Sequence, residues 1–351
     1  MKTFKLLLKS LISNDACIEG GRHKPWFFAV IIAFLSLILA VLPIMVSQLN
    51  TTGAGFVNNT TYGYEVGLLR FNETIYDNDV NLIVKIDANG NHYLDCETRE
   101  GQTNNEWNTT FATTPANRFE HRNPTTGAID FCAYFTTTTG SEYSAYVQRI
   151  QNGLNPITAE ALSGSDSSRY TSFIVFSTFK IHSELFAPNA TKNSGTLNGD
   201  YAHTAENTNI KNYGCVVVGD KTYDHNSPVG EGYDIYLEGS WKQWKSFFND
   251  SYIENRNTAT WQTTLLMLGI DTLLILFMGL MVFILTRGKR NPFRIYTLWD
   301  CQKISYWTTF TPGLLAMILG FIFTNYAVMF FILFLGVRVM WMSMRSLRPQ
   351  Q

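Results

Sequence analysis

Charge is scarce in this chain. Lys, Arg, Asp and Glu make up 16% of its 351 residues, against roughly 25% in an average soluble domain, a shortage that argues against a wholly water-exposed protein. Cysteine is scarce as well: there are five, no two in C-x-x-C spacing, which excludes a zinc ribbon and a dense disulfide framework. H-E-x-x-H, G-x-S-x-G, a P-loop and the dinucleotide glycines are all missing. The six histidines are scattered without metal-ligand spacing. No catalytic residue, cofactor or metal is therefore expected, and nothing points to nucleic acid.

What the chain does have is long apolar runs. Trp26 to Val46 holds 21 residues without a charge, enough at ~1.5 Å rise per residue to cross a ~30 Å hydrocarbon core. It follows a basic leader, 1–25, and no small-x-small cleavage pattern precedes Gln48, so it reads as an uncleaved anchor. A second run, Trp261 to Leu285, contains one ionisable group, Asp271. From Ser305 to Trp341 the chain is apolar for 37 residues, too long for one crossing, and the polar pair Thr324-Asn325 is the natural turn.

Four transmembrane helices are thus expected, at 26–46, 261–286, 305–323 and 326–344, with a loop at 287–304 and a tail at 345–351. Orientation follows from the basic residues beside the spans. Lys2, Lys5, Lys9, Arg22 and Lys24 flank the first; Arg287, Lys289, Arg290, Arg294 and Lys303 follow the second; Arg345 and Arg348 end the chain. Both termini, loop and tail are placed in the cytoplasm. Residues 47–260, with 14 lysines and arginines against 24 acidic residues, become a large extracytoplasmic domain between helices 1 and 2. Cys96, Cys132 and Cys215 fall there, allowing one disulfide whose pairing the spacing cannot choose.

That domain reads as β-rich or α+β. It opens on TTGAGFVNNTTYGYEVG, which suits an extended linker. Strand patterns appear at Val80 to Ile86, Ala128 to Phe135, Glu142 to Ile150, Ser172 to Ile181, Cys215 to Gly219 and Tyr233 to Leu237. Asn89-Gly90 is suited to a tight hairpin turn, and the surrounding D-A-N-G-N-H-Y-L-D only faintly suggests a calcium loop. Sequons occur at Asn58, Asn59, Asn72, Asn108, Asn189 and Asn249.

Two groups of residues stand out. Trp241, Trp244, Phe248 and Tyr252 recur at helical spacing, with Lys242 and Lys245 off the stripe; this predicts an amphipathic helix at the headgroup level or packed under the domain, while stacking on sugar rings is the functional alternative. Asp271 is costly inside a span unless paired, hydrated or protonated. Arg338 is its chemical partner, though it lies nearer the cytoplasmic end; Thr263, Thr264 and Thr272 offer hydrogen bonds instead, and Arg338 could snorkel. Pro312-Gly313, beside Thr308, Thr309 and Thr311, marks a bend or a helix entry.

The leader MKTFKLLLKSLIS and the segment RIYTLWDCQKISYWTTFTPGLLAMILGFI, set in this layout, resemble a membrane-protein family of Gram-positive bacteria known as maltodextrin-utilisation proteins. The resemblance covers both membrane ends, roughly 1–50 and 240–345. It implies an accessory to carbohydrate uptake, with a sugar ligand and a membrane partner such as an ABC importer as expectations, and it supplies no catalytic residues. The leading expectation is a non-enzymatic accessory protein with a ligand- or partner-binding outer domain in a lipid bilayer. A transporter or channel subunit using Asp271, which with four helices would require an oligomer, is the second. An extracytoplasmic hydrolase, needing two carboxylates or a Ser/His pair in one cleft, is the third.

Overall fold

The computed structural model describes residues 2–58, 62–97, 118–162, 170–187, 190–288 and 291–347. The chain divides into two compact units, one of residues 1–50 with 257–351, the other of 51–256. Each is described by itself. One long helix, Glu231–Thr286, contributes to both.

The second unit is built on a five-stranded sheet. Helices α4 (Gly53–Asn58) and α5 (Tyr62–Asp77) come first, then β1 (Asn81–Ile86), β2 (His92–Glu97), β3 (Phe119–Arg122) and β4 (Ile129–Thr136). Helix α6 (Gly140–Gln151) leads to β5 (Ser172–Ser177), β6 (Lys180–Leu185), β7 (Gly195–Asp200), β8 (Cys215–Val218) and β9 (Lys221–Asp224), and α7 (Glu231–Thr286) follows. The main sheet runs β3-β4-β5-β6-β7, while β1-β2 and β8-β9 are separate hairpins. Among the described residues, only β4 and β5 pair in parallel, Phe131 opposite Ser172. A parallel pair needs a crossover, and α6 supplies it.

Alternation along the strands feeds two cores. Phe131, Ala133, Phe135, Ile174 and Phe176 pack with Tyr64, Leu68, Phe71 and Ile75 of α5 and with Trp244, Phe247 and Phe248 of α7. Their neighbours Cys132, Tyr134, Phe173 and Val175 point the other way, onto Tyr143, Tyr146, Val147 and Ile150 of α6. A strand buried on both faces loses the inside/outside alternation of a surface strand. The β1-β2 turn is as the sequence predicts, with Gly90 at φ 83°, where a side chain would be strained.

Three expectations are corrected. Glu142 to Ile150 is not a strand: Tyr143, Tyr146, Val147 and Ile150 follow the i, i+3, i+4, i+7 pattern and form the buried face of a helix. Tyr233 to Leu237 is likewise helical, within α7. The supposed linker after residue 50 holds α4 and the start of α5, because its apolar residues Phe56 and Tyr64 find a core to bury in. In addition, Ser172 to Ile181 is two strands joined by a turn rather than one.

The first unit contains α1 (Lys2–Ser10), α2 (Asn14–His23), α3 (Trp26–Leu49), the end of α7, and then α8 (Leu298–Thr308), α9 (Phe310–Ile322) and α10 (Ala327–Arg345). Among the described residues, four helices are long and apolar enough to cross a membrane: Trp26–Leu49, Gly232–Thr286, Leu298–Ile322 and Thr324–Arg345. Their outward faces carry Phe34, Leu266, Leu273, Phe321, Leu333 and other exposed apolar side chains, the pattern of helices solvated by lipid. Thr324–Tyr326 makes the short 3-10 turn between the last two.

Here the boundaries differ from the sequence reading. The third long apolar helix starts at Leu298 rather than Ser305, opened by a capping box between Thr297 and Asp300. It is interrupted between Thr308 and Phe310. Pro312 has no N–H for the carbonyl of Thr308 four residues back, which places the break where it is. The basic leader is also folded: Leu6, Ala16 and Cys17 are buried with Ile32 and Trp307. Lys289, Arg290 and Arg348 lie outside the described residues.

Candidate functional site

Two places in the molecule gather polar chemistry. The first is a cleft of about 480 Å³ in the sheet-containing unit, lined by Glu65, Val66, Leu69, Arg70 and Glu73 of α5 and by Tyr233, Leu237, Glu238 and Trp241 of α7. Helical periodicity explains the lining: Glu65, Leu69 and Glu73 are successive turns of one face, as are Tyr233, Leu237 and Trp241. Glu73 accepts a hydrogen bond from Arg70 Nη1 at 2.6 Å and one from the Tyr236 hydroxyl at 3.5 Å. Burial pushes the Tyr236 phenol above its usual range, with the Glu73 charge adding to it, so it stays a donor.

Further along the same two helices, at a seven-residue spacing from Glu65, Tyr233 and Leu237, stand Asn72, Ser240 and Trp244. All three are fully buried, and Asn72 Oδ1 and Nδ2, Ser240 Oγ and Trp244 Nε1 have no hydrogen-bond partner within the protein. Such groups are rare in a protein interior and ask for an explanation. A second hollow, about 420 Å³, lies between the end of β4 and α6. Its Arg149 already donates to the Pro156 carbonyl at 2.9 Å.

The aromatic stripe is thereby placed residue by residue. Trp244 and Phe248 sit in the core under the main sheet, and Trp241 and Tyr252 are partly buried against it; Trp241 also faces the cleft. The stripe belongs to the same helix as the following apolar run rather than to a separate one.

The second place lies in the helical unit. Asp271 is fully buried, and neither carboxylate oxygen has a hydrogen-bond partner. Arg338 does not approach it: its Nη2 donates to the Ser10 carbonyl and contacts Cys17 Sγ at 3.3 Å. It is buried rather than snorkelling. The threonines do not reach Asp271 either, Thr272 Oγ1 donating to the Leu268 carbonyl at 2.7 Å and Thr264 Oγ1 having no partner. Below Asp271, the Ile275 carbonyl accepts from Gln302 Nε2 at 3.3 Å and from Ser305 Oγ at 3.2 Å. A Cβ on Gly279 would lie 2.0 Å from Gln302 Oε1, so only glycine admits that amide.

Cys132, Cys215, Cys17 and Cys301 are free thiols; the Cys96 side chain lies outside the described residues, so its pairing with either outer thiol receives no support. Asp87 accepts from the backbone N–H groups of Asn89 and Asn91, both at 2.8 Å, and from Asn91 Nδ2 at 3.0 Å, a hairpin turn in place of the calcium loop. Among the sequons, Asn72 is buried and Asn249 Oδ1 accepts from Ala54 N at 2.6 Å; Asn59, Asn108 and Asn189 lie outside the described residues, as does the Asn58 side chain. Of these features, the sequence alone names Asp271, Arg338 and the stripe of Trp241, Trp244, Phe248 and Tyr252. It missed Glu65, Arg70, Glu73, Tyr233 and Glu238, which only the pairing of α5 with α7 brings together. No family model, curated protein or solved structure matches this chain.

Proposed function

We propose that this is a non-enzymatic membrane accessory protein whose sheet-containing unit faces the extracytoplasmic side, binds a polyhydroxylated, sugar-like ligand in the α5–α7 cleft, and is anchored by the four apolar helices. Both termini are cytoplasmic in this reading, supported by the basic residues beside the spans. The cleft carries it. Trp241 and Tyr233 offer apolar faces with polar rims for a sugar ring, and Glu65, Glu238 and the paired Arg70 and Glu73 offer acceptors and donors for hydroxyl groups. The likeness to maltodextrin-utilisation proteins makes linear glucose oligomers the first ligands to try, with an uptake system as the partner.

The test is calorimetric titration of the full chain in lipid nanodiscs with linear glucose oligomers, for the native protein and for Trp241→Ala. Saturable binding that weakens at least about ten-fold in the variant, equivalent to ~1.4 kcal/mol, is expected. Absence of binding, or binding indifferent to Trp241, rejects the cleft as the site. Shortening of the oligomers during the titration replaces the reading with a hydrolase.

A further inference from the structure

The helical unit presents a buried carboxyl group that the proposed ligand site does not use. On α7, Thr260, Thr264, Asp271, Ile275, Val282 and Thr286 are all buried, at spacings that put them on one face of the helix. That face meets α8 running the opposite way. Thr286 Oγ1 lies 3.9 Å from Cys301 Sγ, Gly279 abuts Gln302, and Ser305 reaches the Ile275 carbonyl. Continued by one turn, this register carries Asp271 toward Thr308 at the end of α8, with Thr309 next in the chain.

These two threonines sit at the break before α9, and both are fully buried. Thr308 Oγ1 donates to the Ser305 carbonyl at 2.6 Å; Thr309 Oγ1 donates to the Tyr306 carbonyl at 2.7 Å and lies 3.0 Å from Ser36 Oγ of α3. With their hydrogens directed at backbone carbonyls, the hydroxyl oxygens retain lone pairs for a cation. Irregular backbone inside an apolar helix bundle is tolerated where it lines a polar site.

Among the described residues, no cation pairs with Asp271. Neither α3 nor α9 carries an ionisable side chain. On α8, Lys303 lies 3.3 Å from Asp300, Cys301 is beside Thr286, and Tyr306 packs among apolar side chains. On α10, Arg338 is bound to the leader, and Arg345 stands in the last turn. A carboxylate stripped of water and partners requires a positive charge from elsewhere.

We propose that Asp271, with the hydroxyl layer of Thr308 and Thr309, binds one monovalent cation, taken up as a proton or as Na⁺. A carboxylate suits either, and the buried position of Asp271 places the uptake inside the helical unit.

The experiment uses the full chain in liposomes treated with a hydrophobic carbodiimide, which modifies protonated carboxyl groups in apolar surroundings, with the adduct mapped by peptide mass spectrometry. Asp271→Asn confirms the assignment, and mapping the native chain keeps the test valid if that variant does not fold. Labelling at Asp271 that rises as pH falls and is unaffected by Na⁺ identifies a proton site. Labelling that falls about ten-fold at Na⁺ ten times its dissociation constant, with choline as the inert control, identifies a Na⁺ site. Absence of label at Asp271, or label indifferent to both pH and Na⁺, overturns the proposal.

Discussion

Trp241 and Trp244 stand three residues apart on one helix and do different work. Trp244 fills the core against Phe176, Tyr213 and Phe248, so Trp244→Ala leaves a cavity that costs ~3–5 kcal/mol; a lowered midpoint in thermal unfolding of the sheet-containing unit checks it. Trp241 lines the cleft, and its loss is expected to show in ligand binding. The two cysteines of that unit differ similarly. Burial pushes the Cys132 thiol up to about 12, so it resists alkylation in the folded protein, whereas half-exposed Cys215 is modified; mass mapping after brief maleimide treatment separates them. Asp87 is held below its usual value by the Asn91 side chain and by the amides of Asn91, Asn89 and Gly90. Its contribution to the β1-β2 turn is present above the ordinary carboxylate range and is lost as pH falls through its lowered value. Protection of the Asn89 and Asn91 amides, taken relative to the intrinsic exchange rate at each pH, should therefore fall on acidification, and should already be low in Asp87→Ala.

At the level of elements, the apolar helices were legible because twenty uncharged residues have few alternatives. The strands at 81–86, 129–136 and 215–218 were legible for the same kind of reason, β-branched runs bounded by turns. Helix α6 was not, because Tyr143, Tyr146 and Val147 satisfy a period of two nearly as well as a helical one over so short a window. In the leader the basic charge was legible and the packing was not. Its Gly20-Gly21 pair turns out to form the closest approach of α2 to α8: a Cβ on Gly20 would lie 2.5 Å from the Trp307 ring, and one on Gly21 2.7 Å from the Ile304 backbone nitrogen. Small residues at a helix crossing let backbones approach. Gly21→Leu is expected to separate α2 from α8 and expose Cys17, now buried, to thiol reagents; continued protection of Cys17 in that variant would contradict this packing.

For the whole molecule, composition alone separated apolar helices from a large polar region, and the structure contains both. The candidate cleft was not legible, since α5 and the start of α7 are more than 150 residues apart in the chain and no motif links them. Asp271 was legible as an anomaly, a charge in an apolar run, but its lack of partners is a property of the packed helices. The proposed accessory role rests on one placement, the sheet-containing unit on the extracytoplasmic side with both ends of the chain in the cytoplasm. Cys215 reports on it directly, because it is a half-exposed thiol in that unit while Cys17 and Cys301 are buried in the other. In a Cys96→Ser background, a membrane-impermeant maleimide added to intact cells should label Cys215 as fully as it does after the membrane is opened. Labelling that appears only after the membrane is opened would place the unit inside the cell and contradict the account.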